Sequence, residues 1–177
     1  MRTPHDRVAD TAYLTFGLGE EMFAAPVIQV REVLDVLPFT RIPYAPPFLR
    51  GMVDVCGHGV PVIDLRARFG LPDLALTPHH RILVLEVLVE GTPLVLGALT
   101  DRVYEVTAFD STALEPPPNI GLCWRSDIIQ GIGRRHERFV IVLHLNRLFT
   151  LEDLRVDEAE EHTPGSLGET PPSPHAG

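Results

Sequence analysis

The sequence predicts an all-β fold arranged as two small barrels that pack together as one folding unit. About nine or ten short runs of aliphatic and β-branched residues follow one another, separated by loops rich in glycine and proline. Helical periodicity is confined to single turns. A break in the strand pattern near residues 72–80 divides the runs into two groups, each too small to form a stable core alone.

The first strands of the pattern follow a polar N-terminal stretch. Apolar residues alternate with small or polar ones over residues 12–18, which predicts a strand, and a turn at 19–21 leads into a return strand over 22–25. Pro26 is suited to open a short helical turn, because its missing N–H costs nothing at the first helical position. Residues 33–36 are compatible with either the helix or an extended strand.

The next segment is a stiff loop followed by a hairpin. The segment from Pro38 to Pro47 contains four prolines, these two included, and proline both fixes φ and lacks an N–H donor, which excludes a central strand. Two apolar runs, Met52–Val55 and Val60–Leu65, then flank the connection 56–59, which contains two glycines. Glycine accepts the positive φ of tight turns, so this stretch predicts a β-hairpin.

The remaining elements are a second group of strands and three further loops or turns. A helical turn over 65–69 closes the first group, and 73–80 is a linker. The predicted strands lie over residues 81–89, 94–99, 101–106, 128–132 and 139–145. A proline loop over 114–121, a charged hairpin tip over 133–138 and a short closing helix over 145–154 complete the prediction.

The negative charge of the chain is concentrated at its C-terminal end. The formal charge is −9, of which −6 lies from Leu151 onward and −3 in residues 1–150. Neither part has the basic surface that a phosphate backbone requires, so nucleic acid is excluded as a partner. Residues 151–177 are rich in Glu, Pro, Gly, Ser and Thr, which predicts a short helix end followed by a disordered acidic tail.

The composition also indicates a cellular compartment. No apolar run reaches the length of a membrane span, and the N-terminus lacks the apolar core of a signal peptide. Cys56 and Cys123 are too few for a disulfide framework and have no CxxC spacing. These features predict a soluble cytoplasmic protein with free thiols.

No sequence motif for catalysis or cofactor binding is present. GxSxG, HExxH, Walker A and GxGxxG are all absent. Cys56 and His58 form a single loose pair, whereas zinc sites need more ligands. Asp54 and Asp64 are better explained as exposed, hydrogen-bonded or Arg-paired carboxylates than as an acid–base pair. We therefore expect no catalytic residues, no metal and no cofactor; a small β-barrel metal-binding or enzymatic domain using Cys56 and His58 is the alternative.

A series of segments in fixed order carries a family resemblance. The segments are Tyr13–Val33, Ile42-Pro43, Pro47–Gly51, Val60–Arg66, Phe69-Gly70, Arg81–Glu86, Thr100–Val103, Pro116–Pro118, Ile132-Gly133 and Phe139–Leu143. The most specific part is Arg50-Gly51 followed by Val-Pro-Val-Ile-Asp-Leu-Arg over Val60–Arg66. In these segments the chain resembles the CheW-type chemotaxis adaptors, the family of the CheW-like domain.

The resemblance implies an architecture and a role. It implies two SH3-like five-stranded β-barrels that share a hydrophobic core, in a domain over 11–150. Subdomain 1 is expected over roughly 20–72 and subdomain 2 over roughly 80–150, with the N-terminal strand free to pack on either. The implied role is a non-catalytic scaffold for signal transduction. It couples the cytoplasmic tips of chemoreceptors (methyl-accepting chemotaxis proteins) to the regulatory domain of a CheA-type histidine kinase.

The same resemblance implies site residues and exposes one departure. In the family, the groove between the barrels receives the receptor's helical hairpin, with Val30, Gly51, Asp54 and Cys56 at the receptor-facing positions. Ile42 and Pro43 would face the kinase. The family usually has Asn-Leu-Arg-Gly where this chain has Asp54-Val55-Cys56-Gly57. Cysteine cannot replace the charged fork of the family's arginine. Compensation in the partner and altered partner choice both remain open explanations.

Overall fold

The structure, a computed structural model, describes residues 12–109, 114–117 and 126–150. Ten strands in this part of the chain form two five-stranded sheets. The strands are β1 Ala12–Leu18, β2 Glu21–Pro26, β3 Val30–Asp35, β4 Leu49–Val55, β5 His58–Asp64, β6 Arg81–Val89, β7 Thr92–Thr100, β8 Arg102–Ala108, β9 Ile129–Arg135 and β10 Arg138–Leu143. The helical elements are α1 Leu65–Arg68, α2 Leu145–Leu148 and the 3₁₀ turns Val27–Gln29 and Ser126–Ile128.

The sheets divide the chain into a central unit and a terminal unit. The central unit has the strand order β3-β6-β7-β5-β4 and is one continuous stretch of chain. The terminal unit has the order β8-β1-β2-β10-β9 and combines strands from both ends of the described chain. The predicted all-β fold of two five-stranded SH3-like units is thereby confirmed.

The strands are grouped differently from the expected subdomains over roughly 20–72 and 80–150. Parallel pairing of β5 with β7, for example Val62 with Gly97, brings β6 and β7 into the central unit. Parallel pairing of β2 with β10, for example Phe23 with Ile141, joins the N-terminal strands to the C-terminal ones. The linker over 73–80 is therefore a connection within the central unit and not a boundary between units.

One hydrophobic core is shared by the two units, as expected. It contains Phe16 and Leu18 of β1, Leu83 and Leu85 of β6, and Phe149 after α2. These side chains are all almost completely buried. Full burial of such a side chain stabilises a fold by roughly 1.5–3 kcal/mol. Burial of these side chains in the shared core therefore contributes strongly to the packing of the two units against each other.

Each unit also has a small interior of its own. Because successive side chains of a strand point to opposite faces, β1 contributes to both the shared core and the interior of the terminal unit. Leu14 packs into the shared core, whereas the neighbouring Tyr13 packs in the interior of the terminal unit with Phe109. Burial raises the pKa of the Tyr13 hydroxyl, although a hydrogen bond from Gln130 Nε2 opposes the shift. The corresponding interior of the central unit consists of Val53, Val60, Val62, Ile82 and Leu99.

The helical turns are shorter than the sequence indicated. Pro26 precedes a 3₁₀ turn of three residues, Val27–Gln29, and residues 33–35 belong to the strand β3. In α1 the Asp64 carboxylate caps the turn by accepting from the Arg66 backbone N–H at 3.0 Å. The expected closing helix over 145–154 is a single turn, α2, up to Leu148. The predicted disordered tail over 151–177 and Cys123 lie outside the described residues.

A buried ionic cluster joins the two units where the chain passes from β7 to β8. Asp101 Oδ2 accepts from the Gly19 backbone N–H at 2.6 Å and from Arg66 Nη1 at 2.7 Å. His80, only 3% exposed, places Nε2 at 3.6 Å from Asp101 Oδ1. Its Nδ1 accepts from the Thr77 backbone N–H at 2.9 Å. The cluster fixes the β1–β2 turn, α1 and the end of the 73–80 linker relative to one another.

Candidate functional site

The tip of the β4–β5 hairpin is a tight turn that presents Cys56 to solvent. Cys56 and Gly57 both have positive φ, +51° and +82°, which is the geometry of two-residue hairpin turns. Asp54 Oδ1 accepts from the Gly57 backbone N–H at 2.8 Å and thereby holds the turn. The thiol of Cys56 is free and exposed, as the sequence indicated for a hairpin tip.

A groove lies beside this tip, at one end of the central unit. Its volume is about 470 Å³, and we call it the hairpin groove. It is lined by Arg31, Glu32, Val55, Cys56, His58, Gly59, Val60, Val84 and Val95. Four valines from four strands give the groove an apolar part, while Arg31, Glu32 and His58 supply polar groups. Such a combination suits a partner side chain or helix with an apolar face.

The four predicted receptor-facing residues occupy different environments around the hairpin groove. Cys56 lines the groove directly. Val30 lies next to two groove residues at the start of β3, but its half-buried side chain packs against the shared core. Asp54 is exposed and bonded to its own turn. Gly51 is buried on β4, so the structure places it away from the surface.

Gly51 holds a close crossing between β4 and the preceding loop. Its φ is +141°, and a Cβ added there would lie 2.4 Å from the carbonyl oxygen of Thr40. Thr40 and Met52 exchange two backbone hydrogen bonds, each 2.8 Å long, across this crossing. The residue at position 51 is thus restricted to glycine by the approach of the loop.

The predicted kinase-facing residues lie on that loop, which we call the proline loop (residues 37–48). Pro43 is exposed, while Ile42 is half-buried and packs against the shared core. A second groove of about 290 Å³, the loop groove, lies beside it. Its lining consists of Phe39, Arg41, Ile42, Ala45, Pro46, Pro47, Leu49 and Arg50. The two grooves are at opposite ends of β4, roughly 20 Å apart along the strand.

The acidic residues near the hairpin do not form an acid–base pair. Asp64 is buried, caps α1 and lies 3.3 Å from Arg50 Nε, so it is both hydrogen-bonded and Arg-paired, two of the structural alternatives that the sequence favoured over an acid–base pair. Asp54 instead binds the exposed turn. Within residues 12–109, 114–117 and 126–150, no group of three or more His, Cys, Asp or Glu side chains could hold a metal ion. The metal-binding or enzymatic alternative based on Cys56 and His58 is not supported.

Comparison with protein families gives a match over most of the chain. The model of the CheW-like domain matches residues 12–153, which include both units and both grooves. The chain belongs to the CheW-like domain family. It is accordingly a chemotaxis adaptor without enzymatic activity of its own, as the sequence resemblance implied.

Known relatives and a solved structure agree with this family. The chain is 28% identical over 142 residues to the chemotaxis protein CheW of Treponema pallidum, covering 80% of this chain and 84% of the relative. It is 27% identical to the CheW protein of Helicobacter pylori over 136 residues, covering 77% and 79% of the two chains. The crystal structure of the scaffolding protein TtCheW from Thermoanaerobacter tengcongensis superposes with a TM-score of 0.69 at 31% identity, covering 79% of this chain and 92% of that chain.

Sequence reasoning missed an exposed apolar pair where the two units of this CheW-like domain meet. Ile28 in the first 3₁₀ turn is 87% exposed, and Leu88 on β6 is 50% exposed. They flank a polar link in which Gln29 Nε2 and the Leu88 backbone N–H both donate to Asn146 Oδ1, at 2.9 and 3.0 Å.

None of the helices in the described part of the chain is long and apolar enough to cross a membrane. The longest α-helical turns there, α1 and α2, have four residues each.

Proposed function

We propose that this CheW-like chain works in the cytoplasm and couples the tip of a chemoreceptor to the regulatory domain of a CheA-type histidine kinase. The observation that carries the proposal is the hairpin groove, in which an apolar part and a polar rim meet beside the exposed Cys56. A second, separate groove beside the proline loop supports two simultaneous partners. An adaptor needs two such surfaces on one rigid body.

The receptor-facing surface is proposed to include Val30, Gly51, Asp54 and Cys56. A helix of the receptor tip would place apolar residues against the valines of the hairpin groove and extend toward Ile28 at the unit junction. Gly51 would act by fixing the position of the hairpin, since its own surface is buried. Asp54 would act partly through the turn that its carboxylate holds.

The kinase-facing surface is proposed to include Ile42 and Pro43. The proline loop presents Pro43, and the neighbouring Tyr44 is 74% exposed, so the loop offers rigid apolar contacts. Prolines lose little conformational entropy on binding, because their φ is already fixed. A barrel-to-barrel contact with the kinase regulatory domain would use this loop end of the central unit.

Cys56 is proposed to set partner choice. In place of the family's arginine, the hairpin groove has a neutral thiol, and Glu32 lines the same groove without an ion pair among the described residues. The groove therefore presents less positive charge to a receptor carboxylate than an arginine-containing relative does. Cys56→Arg is expected to increase kinase activation with a conventional receptor at least threefold, and Cys56→Ser is the matched control.

Binding experiments with both partners test the proposed function. The purified chain is mixed with the CheA-like regulatory domain and with receptor fragments from its own organism, and the complexes are measured by pull-down and calorimetry. We expect binding to both, with Pro43→Glu weakening only the kinase complex and Cys56→Glu only the receptor complex, since both side chains are exposed. Absence of binding to every CheA-like regulatory domain of that organism would overturn the proposal.

A further inference from the structure

We propose that Tyr44 is the anchor residue of the kinase-facing surface, and that its ring enters an apolar pocket on the regulatory domain of a CheA-type kinase. An acidic side chain at the rim of that pocket pairs with Arg41. This role rests on the proposed function and names the partner chemistry at that site. Three features of the proline loop support it: the exposure of the Tyr44 ring, the backbone conformation at Tyr44 and the charge of Arg41.

The Tyr44 side chain stands out into solvent. It is 74% exposed, more than any other aromatic side chain in the described part of the chain. Within residues 12–109, 114–117 and 126–150, its ring contacts no other ring and its hydroxyl forms no hydrogen bond. A tyrosine ring buries a large apolar area when a partner covers it, while its hydroxyl can still reach a polar group. Tyrosine is accordingly enriched among the residues that contribute most to binding.

The backbone at Tyr44 has a conformation that tyrosine disfavours. Its φ is +60°. The Ala45 N–H donates to the Ile42 carbonyl oxygen at 3.4 Å, which closes a four-residue turn with Pro43 and Tyr44 at its centre. Proline followed by a residue with positive φ is the pattern of a type II turn, in which Gly or Asn normally occupies the third position. A bulky side chain at that position costs free energy in the folded chain.

The other described non-glycine residues with positive φ have a different explanation. Cys56, Glu90, His136 and Glu137 all lie in two-residue connections between paired strands. Such connections require positive φ whatever the side chain is. Tyr44 lies instead in the long connection between β3 and β4, where the turn could be made with Gly or Asn. Strain that the turn itself does not require indicates a function for the side chain.

The proline loop holds the Tyr44 turn from both sides. Before the turn, Thr40 and Met52 of β4 exchange two backbone hydrogen bonds of 2.8 Å. After it, the Leu49 N–H donates to the Pro46 carbonyl oxygen at 2.9 Å. Ile42, at the start of the turn, packs against the shared core. Because the loop is already ordered by these contacts, a partner that binds the ring loses less free energy to ordering it.

The charge beside the ring is that of Arg41. Arg41 is exposed and lines the loop groove. It forms no ion pair within the described residues, whereas Arg50, which lines the same groove, lies 3.3 Å from Asp64. The guanidinium group donates two parallel hydrogen bonds to a carboxylate, which favours an acidic partner at this position. An apolar pocket with an acidic rim is therefore complementary to this end of the central unit.

Replacement of Tyr44 by asparagine separates a binding role from a structural one. Asparagine accepts positive φ more readily than tyrosine does. Tyr44→Asn should therefore raise the midpoint of thermal unfolding by about 2–4 °C. The same variant should weaken the complex with the CheA-like regulatory domain about 30-fold in calorimetry, because the ring is lost. Tyr44→Phe keeps both the ring and the strain, so its affinity and its unfolding midpoint should stay close to those of the wild-type chain.

Matched variants locate the effect on the proline loop. Phe139→Ala removes a ring of the terminal unit that is 57% exposed, and it should leave the affinity for the kinase domain unchanged. Arg41→Glu should weaken the complex about tenfold at low salt and less at high salt, because a charge at the rim is screened. Arg102→Glu reverses an exposed arginine of the terminal unit and should have no effect on this complex.

The outcomes distinguish this role of Tyr44 from the adaptor function. A wild-type chain that binds no CheA-like regulatory domain contradicts both. If the wild-type chain binds and Tyr44→Asn binds equally well, Tyr44 is not the anchor and the adaptor function stands. Loss of stability together with affinity in Tyr44→Asn also overturns the anchor, because the ring would then support the fold. Unchanged kinase binding with loss of self-association would assign the loop to a contact between copies and likewise overturn it.

Discussion

Two aspartates in this chain each accept a hydrogen bond from the backbone N–H of a glycine in a hairpin turn, but one carboxylate is buried and the other is exposed. Asp101 accepts from the Gly19 N–H at 2.6 Å, and Asp54 accepts from the Gly57 N–H at 2.8 Å, each in a hairpin turn. Asp101 is only 8% exposed and also binds Arg66, so it joins two units of the fold. Asp54 is exposed and binds a residue three positions away.

The difference shows how burial determines whether a carboxylate stabilises the fold or stays available to a partner protein. A buried carboxylate must keep its charged partner, because an unpaired charge in the interior costs several kcal/mol. An exposed carboxylate stays hydrated, contributes little to stability and remains available to a partner protein. The Asp101 cluster therefore serves the folding of the domain, whereas the exposed β4–β5 tip is free for the receptor contact proposed for it.

The largest expected effect is at the buried aspartate. Asp101→Asn removes the charge that faces Arg66 and should lower the free energy of unfolding by about 3 kcal/mol, measured by urea denaturation. The double variant Asp101→Asn with Arg66→Met should be more stable than the single variant, because no unpaired buried charge remains. If the single substitution costs less than Asp54→Asn, the contrast between the two aspartates is wrong.

The next effect compares two glycines of one hairpin, one packed and one at the tip. Gly51→Ala places a Cβ 2.4 Å from the Thr40 carbonyl oxygen at a φ of +141°, and should destabilise the domain by more than about 2 kcal/mol. Gly57 has a φ of +82° with nothing within 4 Å, so Gly57→Ala should cost only about 1 kcal/mol. Thermal unfolding of both variants measures the difference, and equal losses would contradict it.

A smaller effect is expected at the exposed aspartate. Asp54→Ala removes one solvent-exposed hydrogen bond to the turn and should cost about 0.5–1 kcal/mol in urea denaturation. Its effect on receptor affinity should exceed its effect on kinase affinity, since the proline loop lies at the other end of β4. Asp54→Asn, which keeps the acceptor oxygen, is the control and should retain most of the stability.

The smallest effect concerns an exposed ion pair of the terminal unit. The hydrogen bond from Arg135 lowers the pKa of the Glu105 carboxyl below its ordinary value of 4.5. Because the folded pKa is the lower one, the stabilisation is complete above the ordinary value and is lost as the pH falls through the folded pKa. Glu105→Gln should therefore make the free energy of unfolding, measured by urea denaturation, slightly less dependent on pH below pH 4.5. A large loss of stability at pH 7 would be unexpected for an exposed pair.

Local sequence patterns were sufficient to predict individual strands, turns and loops. The apolar runs around Cys56–Gly59 predicted the β4–β5 hairpin, and proline spacing predicted the loop before it. Pairing of Asp64 with an arginine was one of the structural alternatives that the sequence indicated, and the structure identifies that arginine as Arg50. Each of these features depends on residues close together in the chain.

Features that join distant segments could not be predicted in this way. The break near residues 72–80 looked like a subdomain boundary because it lacks strand residues, but β5 and β7 pair across it. His80 looked like part of a linker, although it packs beside Asp101 in the buried cluster. The crossing of Thr40 over Gly51 likewise depends on how the proline loop folds back onto β4.

The sequence by itself determined that this chain makes short strands, a glycine-tipped hairpin and a CheW-like pattern, because strand periodicity and turn chemistry are local properties. Only the tertiary structure decided that β1 and β2 join the C-terminal strands, that Gly51 is buried, and that Cys56 lines a groove with Arg31 and Glu32. These arrangements follow from parallel pairings and a shared core, whose contacts join residues as distant in the chain as Phe23 and Ile141.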